Sequence, residues 1–112
     1  MQEVKTLDVN ALVREAHENA AKHGFWDVPM EFGTAIALIH SELSEALEEV
    51  RAGREAVWHT ESGKPEGYAI ELADAVIRIA DLCGHLNIDL RAAITEKMEY
   101  NMSRPYKHGK QF

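Results

Sequence analysis

The sequence predicts an all-α protein of about four helices. Four blocks carry apolar residues at helical spacing, with Gly, Pro and capping residues between them. The period-two alternation of β-branched residues that marks half-buried strands is missing throughout. The chain has 112 residues, 46% of them hydrophobic, 28% charged and 7% aromatic. That composition is ordinary for a soluble globular protein, and chains divide into domains only at about twice this length. A single domain over 1–112 is expected, with its core over 24–104 and no internal repeat.

Each block carries its own start and stop signals. Asp8 is placed to cap a first helix running to Lys22, where Val9, Val13, Ala16 and Ala20 share a face and Gly24 ends the run. Pro29 suits the first turn of a second helix, expected to reach Ala52 and stop at Gly53. Its stripe of Phe32, Ile36, Ile39, Leu43, Leu47 and Val50 holds for roughly five turns. Gly53 to Lys64 is a polar stretch containing Trp58 and His59 and is expected to be a loop. Pro65 is expected to open a third helix reaching Leu86, with Ile70, Ala73, Ile77 and Ala80 on one side. Val76, Ile79 and Cys83 widen that stripe, so the third helix is expected to be buried on two sides. Asp89 caps a fourth helix, and Pro105 ends it near Arg104. The basic tail Tyr106 to Phe112 is expected to be loose.

Charge and cysteine usage exclude several function classes. The 19 acidic against 12 basic side chains give a formal charge of −7. A duplex-binding surface needs a basic face to displace counterions from phosphates, so a nucleic-acid polymer is not the expected partner. Small phosphate ligands remain compatible, because a divalent cation bridges carboxylates to phosphate oxygens. Cys83 stands alone, so no internal disulfide forms, as suits a reducing compartment. No run approaches eighteen apolar residues, and Met1 to Lys5 has no signal core. No membrane span and a cytoplasmic location are therefore expected.

The chemistry-bearing pattern begins on the second helix. Glu42 and Glu45 lie one turn apart on one side, roughly 90–150° from the centre of the apolar stripe. The third helix repeats the arrangement with Glu71 and Asp74, which share a polar strip roughly 80° wide with Arg78 and Asp81. Four carboxylates on neighbouring antiparallel helices repel unless something neutralises them, and a hard cation with oxygen ligands does so. Mg²⁺ takes one or two carboxylates, keeps waters and completes its shell with substrate phosphates; Mn²⁺ accepts the same donors. The fourth helix continues the face begun by Leu90, Ala93 and Ile94 with Lys97, Asn101 and Arg104. Charges on a core-facing line need an anionic neighbour, so a cationic wall gripping phosphates opposite the carboxylates is expected. The bland alternative is a frayed end whose cations complement the helix dipole.

E-x-x-E, about 25 residues, E-x-x-D, then K-x-x-x-N-x-x-R resembles the MazG-like all-α nucleoside triphosphate pyrophosphohydrolases, which include dCTP pyrophosphatases, dimeric dUTPases and phosphoribosyl-ATP pyrophosphatases. The resemblance covers 24–110. It takes in Gly24-Phe25-Trp26, the phrase Leu38 to Glu45, and the ending Lys97 to Arg104 with His108-Gly109-Lys110. It implies an oligomeric helical bundle that hydrolyses a nucleoside triphosphate to the monophosphate and pyrophosphate, in nucleotide-pool house-cleaning. Glu42, Glu45, Glu71 and Asp74 would hold Mg²⁺, and Lys97, Asn101 and Arg104 would meet phosphate or sugar. In one departure, Ser41 stands where many members carry a second adjacent glutamate. The number of metals stays open at this level, as does the choice of Glu42 or Glu45 for orienting the attacking water.

No histidine has a glutamate three positions before it, which removes a ferritin-like di-iron site, and no Cys/His cluster offers a zinc site. No glycine-rich phosphate cradle exists. His40 is a candidate for contacting base or sugar, with helix packing as its alternative. Trp26 is a candidate for stacking on a nucleobase, or else it closes the corner between the first two helices. Trp58 is a second candidate for stacking on a nucleobase, and its polar loop suggests a lid over the site. The width of the third helix's apolar face predicts a homodimer or homotetramer, with the site between helices two, three and four and open to residues from a neighbouring chain. A non-catalytic helical module that binds a nucleotide or a partner protein is the second reading.

Overall fold

A computed structural model describes residues 8–109. The N-terminal Met1 to Lys5 and the C-terminal Lys110 to Phe112, about which expectations were stated above, lie outside the described residues. The chain is mostly helical, as its patterning predicts. Helix α1 spans Val9–Lys22, α2 Phe32–Arg51, α3 Tyr68–His85 and α4 Leu90–Met102, followed by a 3₁₀ turn at Tyr106–Gly109. Between α2 and α3 lies a short antiparallel ribbon, β1 at Trp58–His59 and β2 at Pro65–Glu66.

The expected caps hold. Asp8 accepts the Ala11 amide at 2.7 Å, and Asp89 accepts the Ala92 amide at 3.0 Å. Asp89 also accepts from the Asn10 side chain at 3.0 Å, and Asn10 in turn accepts the Arg91 amide at 3.2 Å, so the starts of α1 and α4 are joined. The two proline-based starts are corrected. Pro29 to Glu31 stays outside the helix and α2 begins at Phe32, with extended Glu31 as its cap. Pro65 belongs to β2, and α3 begins only after Gly67. The cause is long-range: the Ala69 amide bonds the Ala56 carbonyl at 3.0 Å. Gly67, at φ +116°, passes so close to that carbonyl that no Cβ would fit. The stretch expected to be a loop is therefore closed by a ribbon.

Helix α3 is the central element, packed against α1 on one side and α2 on the other, while α4 leans on α1. Its expected burial on two sides is met only in part, because Cys83 is buried whereas Val76 and Ile79 are exposed. One core cluster joins Val13 and Ala16 of α1 to Ala80 and Cys83 of α3; the other joins Ala35 and Ile39 of α2 to Leu82. At Gly84 the α1 and α3 backbones approach closely: a Cβ there would sit 2.5 Å from that of His17 and 3.2 Å from the Val13 carbonyl oxygen.

On α2 the buried line is Ala35, Ile39, Glu42, Ala46 and Glu49, whereas Leu43, Leu47 and Val50 of the apolar stripe are exposed. On α3 Glu71 is buried while Leu72, Val76 and Ile79 are exposed. Much of the apolar stripe of α2 therefore lies outside this chain's core. Within one chain Glu42, Glu49 and Glu71 thus lie inward beside buried apolar residues, while Leu43, Leu47, Val50, Leu72, Val76 and Ile79 face outward.

Candidate functional site

The facing lines of α2 and α3 set the site. Glu42 meets Arg78 while Glu45 meets Glu71, so the two helices run antiparallel and their acidic motifs come opposite each other. Glu42, Glu45 and Glu71 each offer a carboxylate oxygen within 4.8 Å of the others. Glu42 and Glu71 are buried and Glu45 is exposed at the rim. Asp74 stands outside this tight set, half-buried, and lines a cavity beside Glu42.

Packing three carboxylates so closely has an electrostatic consequence. Burial, hydrogen bonds with Glu45 and Glu42, and the charges of Glu45 and Asp74 together push the Glu71 carboxyl up to about 7. Asp74 is raised as well, first by burial and then by Glu42, with Arg78 opposing the rise. A donor set of close, part-protonated carboxylates fits a hard divalent cation, which would displace the proton and join the oxygens.

Two cations answer this acidic centre from within the chain. The Arg78 Nε donates to Glu42 Oε1 at 2.8 Å. On the ribbon, Lys64 pairs with Glu66 at 3.0 Å. That pairing, with smaller contributions from the charges of Glu71 and Asp74, raises its ammonium above the ordinary lysine range.

Beside the carboxylates lies a cavity of about 420 Å³, walled by α1, the α1–α2 corner, α2 and α3. Its apolar part is formed by Ala16, Ala20, Phe25, Trp26, Met30 and Ile77, among others. Glu42, Asp74 and Arg78 line its acidic end, and Asp81 and Asn19 also line it. Asp81 Oδ1 accepts the Trp26 indole N–H at 2.8 Å and pairs with His17 Nδ1 at 2.9 Å. Trp26 also stacks on His85 at 3.8 Å between ring centres, nearly parallel. The corner aromatic is thus fixed in the cavity wall from α3.

The sequence-derived candidates divide clearly. Glu42, Glu45, Glu71 and Asp74 come together, and Trp26 lines the cavity next to them. His40 is exposed on α2 and does not line the cavity. Lys97, Asn101 and Arg104 do not line it either, since α4 packs on α1. Within this chain the cavity is therefore walled by α1, α2 and α3, and α4 does not contribute to it. On α4, Lys97 and Arg104 lie over the Tyr100 ring at 5.2 and 5.6 Å. The Oδ1 of Asn101 is buried without a hydrogen-bond partner among the described residues. Trp58 is not at the cavity. Its indole donates to buried Glu49 at 2.8 Å, and Arg54 donates to the same carboxylate at 2.6 Å, which pins the ribbon to the end of α2.

His17 and the roles of Arg78 and Asp81 were not assigned from sequence. Arg78 and Asp81 were visible on the polar strip with Asp74. His17 carries no local signal, since its partner lies 64 residues away.

No protein-family model, curated protein or solved structure matches the chain. Among the described residues no helix is long and apolar enough to cross a membrane.

Proposed function

We propose that this chain is a Mg²⁺-dependent nucleoside triphosphate pyrophosphohydrolase, active with Mn²⁺ as an alternative ion, and working as a homodimer or homotetramer. The observation that carries the reading is the convergence of Glu42, Glu45 and Glu71 within 4.8 Å, at the acidic end of an apolar cavity lined by Trp26. Hydrolysis at the α-phosphorus needs an oriented water and neutralisation of the charge moving onto pyrophosphate. A bound divalent ion supplies that neutralisation and makes a nearby water more acidic. Glu42, Glu45, Glu71 and Asp74 hold the ion. Glu45, at the exposed rim and free of the arginine that occupies Glu42, is the carboxylate best disposed to accept the water's proton. The apolar cavity, with Trp26 fixed in its wall, takes the nucleobase and excludes water from it. Lys97, Asn101 and Arg104 serve phosphate or sugar from a neighbouring copy, since they do not reach the cavity of their own chain. His40 is exposed and does not line the cavity, so it makes no substrate contact there within its own chain.

The test is turnover of a panel of ribo- and deoxynucleoside triphosphates with Mg²⁺, scored for monophosphate and pyrophosphate. Glu42→Gln and Asp74→Asn are expected to abolish product formation in protein that still melts cooperatively. Unchanged rates in either would remove its assigned role.

One observation favours a non-catalytic module that binds a nucleotide or a partner protein. Ser41, where a further carboxylate would be expected, spends its hydroxyl on the Leu38 carbonyl at 2.6 Å and contributes no charge to the site. On that reading no nucleotide in the panel would be cleaved, and the melting temperature would not respond to Mg²⁺.

A further inference from the structure

We infer that Arg78 is an exchangeable counter-ion: it holds Glu42 while the site lacks its cation, and it passes to the substrate's phosphates when cation and nucleotide enter together. The inference rests on the function proposed above and adds to it a phosphate-binding residue and a coupling between the two ligands.

The geometry is specific. Arg78 touches Glu42, the buried member of the α2 acidic pair, through Nε at 2.8 Å, and it lines the same cavity as that carboxylate, Asp74 and Asp81. The contact uses one of five guanidinium donors. A guanidinium fork matches two phosphate oxygens as readily as a carboxylate, and its side chain is 40% exposed, so it can turn without unpacking α3. The charges around it are Glu42 on α2, Asp74 on its own helix and, in the same cavity wall, Asp81, which His17 and Trp26 already engage, with Lys64 on the ribbon as the other cation close to the acids. A divalent cation arriving alone meets a carboxylate already neutralised by Arg78 and is repelled by the guanidinium at close range. A polyphosphate removes both obstacles, because it draws the guanidinium away from Glu42 and brings negative charge of its own. Cation and nucleotide therefore favour each other's binding, and linkage makes the effect reciprocal.

The test separates Arg78→Gln and Arg78→Lys from wild type in two calorimetric titrations, one with Mg²⁺ alone. The other uses Mg²⁺ with the tightest binder among the non-hydrolysable α,β-methylene analogues of the four common deoxynucleoside triphosphates. Arg78→Gln keeps a hydrogen-bond donor for Glu42 but no charge. It is expected to bind Mg²⁺ alone about tenfold more tightly and the analogue about tenfold more weakly, with turnover reduced. Arg78→Lys keeps the charge and loses the fork, so Mg²⁺ affinity stays near wild type while analogue affinity falls. Weaker binding of Mg²⁺ alone in Arg78→Gln would show that the arginine merely supports Glu42, and unchanged analogue binding in both variants would remove the phosphate contact; either result overturns the inference. Should Arg78→Gln fail to fold, Arg78→Lys still decides through its loss or retention of analogue affinity. Wild-type protein that binds Mg²⁺ and the analogue but cleaves no nucleotide would overturn the hydrolase reading alone, since both titrations still report on Arg78.

Discussion

Glu71 concentrates the electrostatics of the site in one side chain. It is buried, hydrogen-bonded to two other carboxyls, and lies about half-protonated near neutrality, whereas an unfolded glutamate loses its proton near 4.5. Its native carboxyl is thus raised, so the stability linked to this proton is full below about 4.5 and is lost as pH rises through about 7. In metal-free protein the melting temperature should therefore decline between pH 5 and 8, and Glu71→Gln should flatten that decline and raise the value at pH 8. Metal binding carries the opposite sign, because the ion must expel the proton. Affinity for Mg²⁺ should climb about tenfold per pH unit below 7 and level off above it. Titration calorimetry at pH 6, 7 and 8 checks this, and equal affinities at 6 and 8 would show that Glu71 does not exchange its proton for the ion.

At the scale of elements, α3 is held in register by contacts that leave little room for change. The closest is Gly84, where a methyl group would meet His17 and the Val13 carbonyl on α1. Gly84→Ala should cost about 1–3 kcal/mol through overpacking, measured by denaturant unfolding, even though alanine is the better helix former. A neutral or stabilising result would mean that α1 and α3 are not fixed at this spacing. This contact also shows what the sequence could and could not convey. Helix existence, the caps Asp8 and Asp89 and the i, i+3 acidic motif on each helix were legible, because each depends on spacing within a few turns. The start of α3 was not, since Pro65 has a strong local preference that the Ala56 carbonyl, far along the chain, overrides. Nor was the direction of the α2 stripe: Leu43, Leu47 and Val50 signal burial, but spacing does not say whether the covering surface belongs to the same chain. The neighbour of Lys97, Asn101 and Arg104 was not legible for a related reason, because helical periodicity fixes a face and leaves open which surface it meets.

The whole molecule leaves those stripes uncovered, which bears on its state in solution. Leu43, Leu47 and Val50 each follow the inward line of α2 by one residue, as Leu72, Val76 and Ile79 follow that of α3. One residue is about 100° of helical turn, and in an antiparallel pair of right-handed helices that rotation carries both stripes to the same side. The result is one aliphatic surface of six side chains, each 40–55% exposed. None of the six lines the cavity. No large side chain among the described residues is fully buried, so this chain's own core leaves apolar burial incomplete. A contiguous face of this kind is rarely left to water, and a two-fold axis through it would let the same patch cover itself. Leu47→Glu with Val76→Glu places charges in its middle, so sedimentation equilibrium should change from a dimer or larger assembly in wild type to a monomer. If Lys97, Asn101 and Arg104 act across that assembly, the double variant should also lose nucleotide turnover while its Glu42, Glu45 and Glu71 still bind Mg²⁺. A variant that stays associated would place the contact on another surface, and a monomer with full turnover would show that one chain suffices for catalysis.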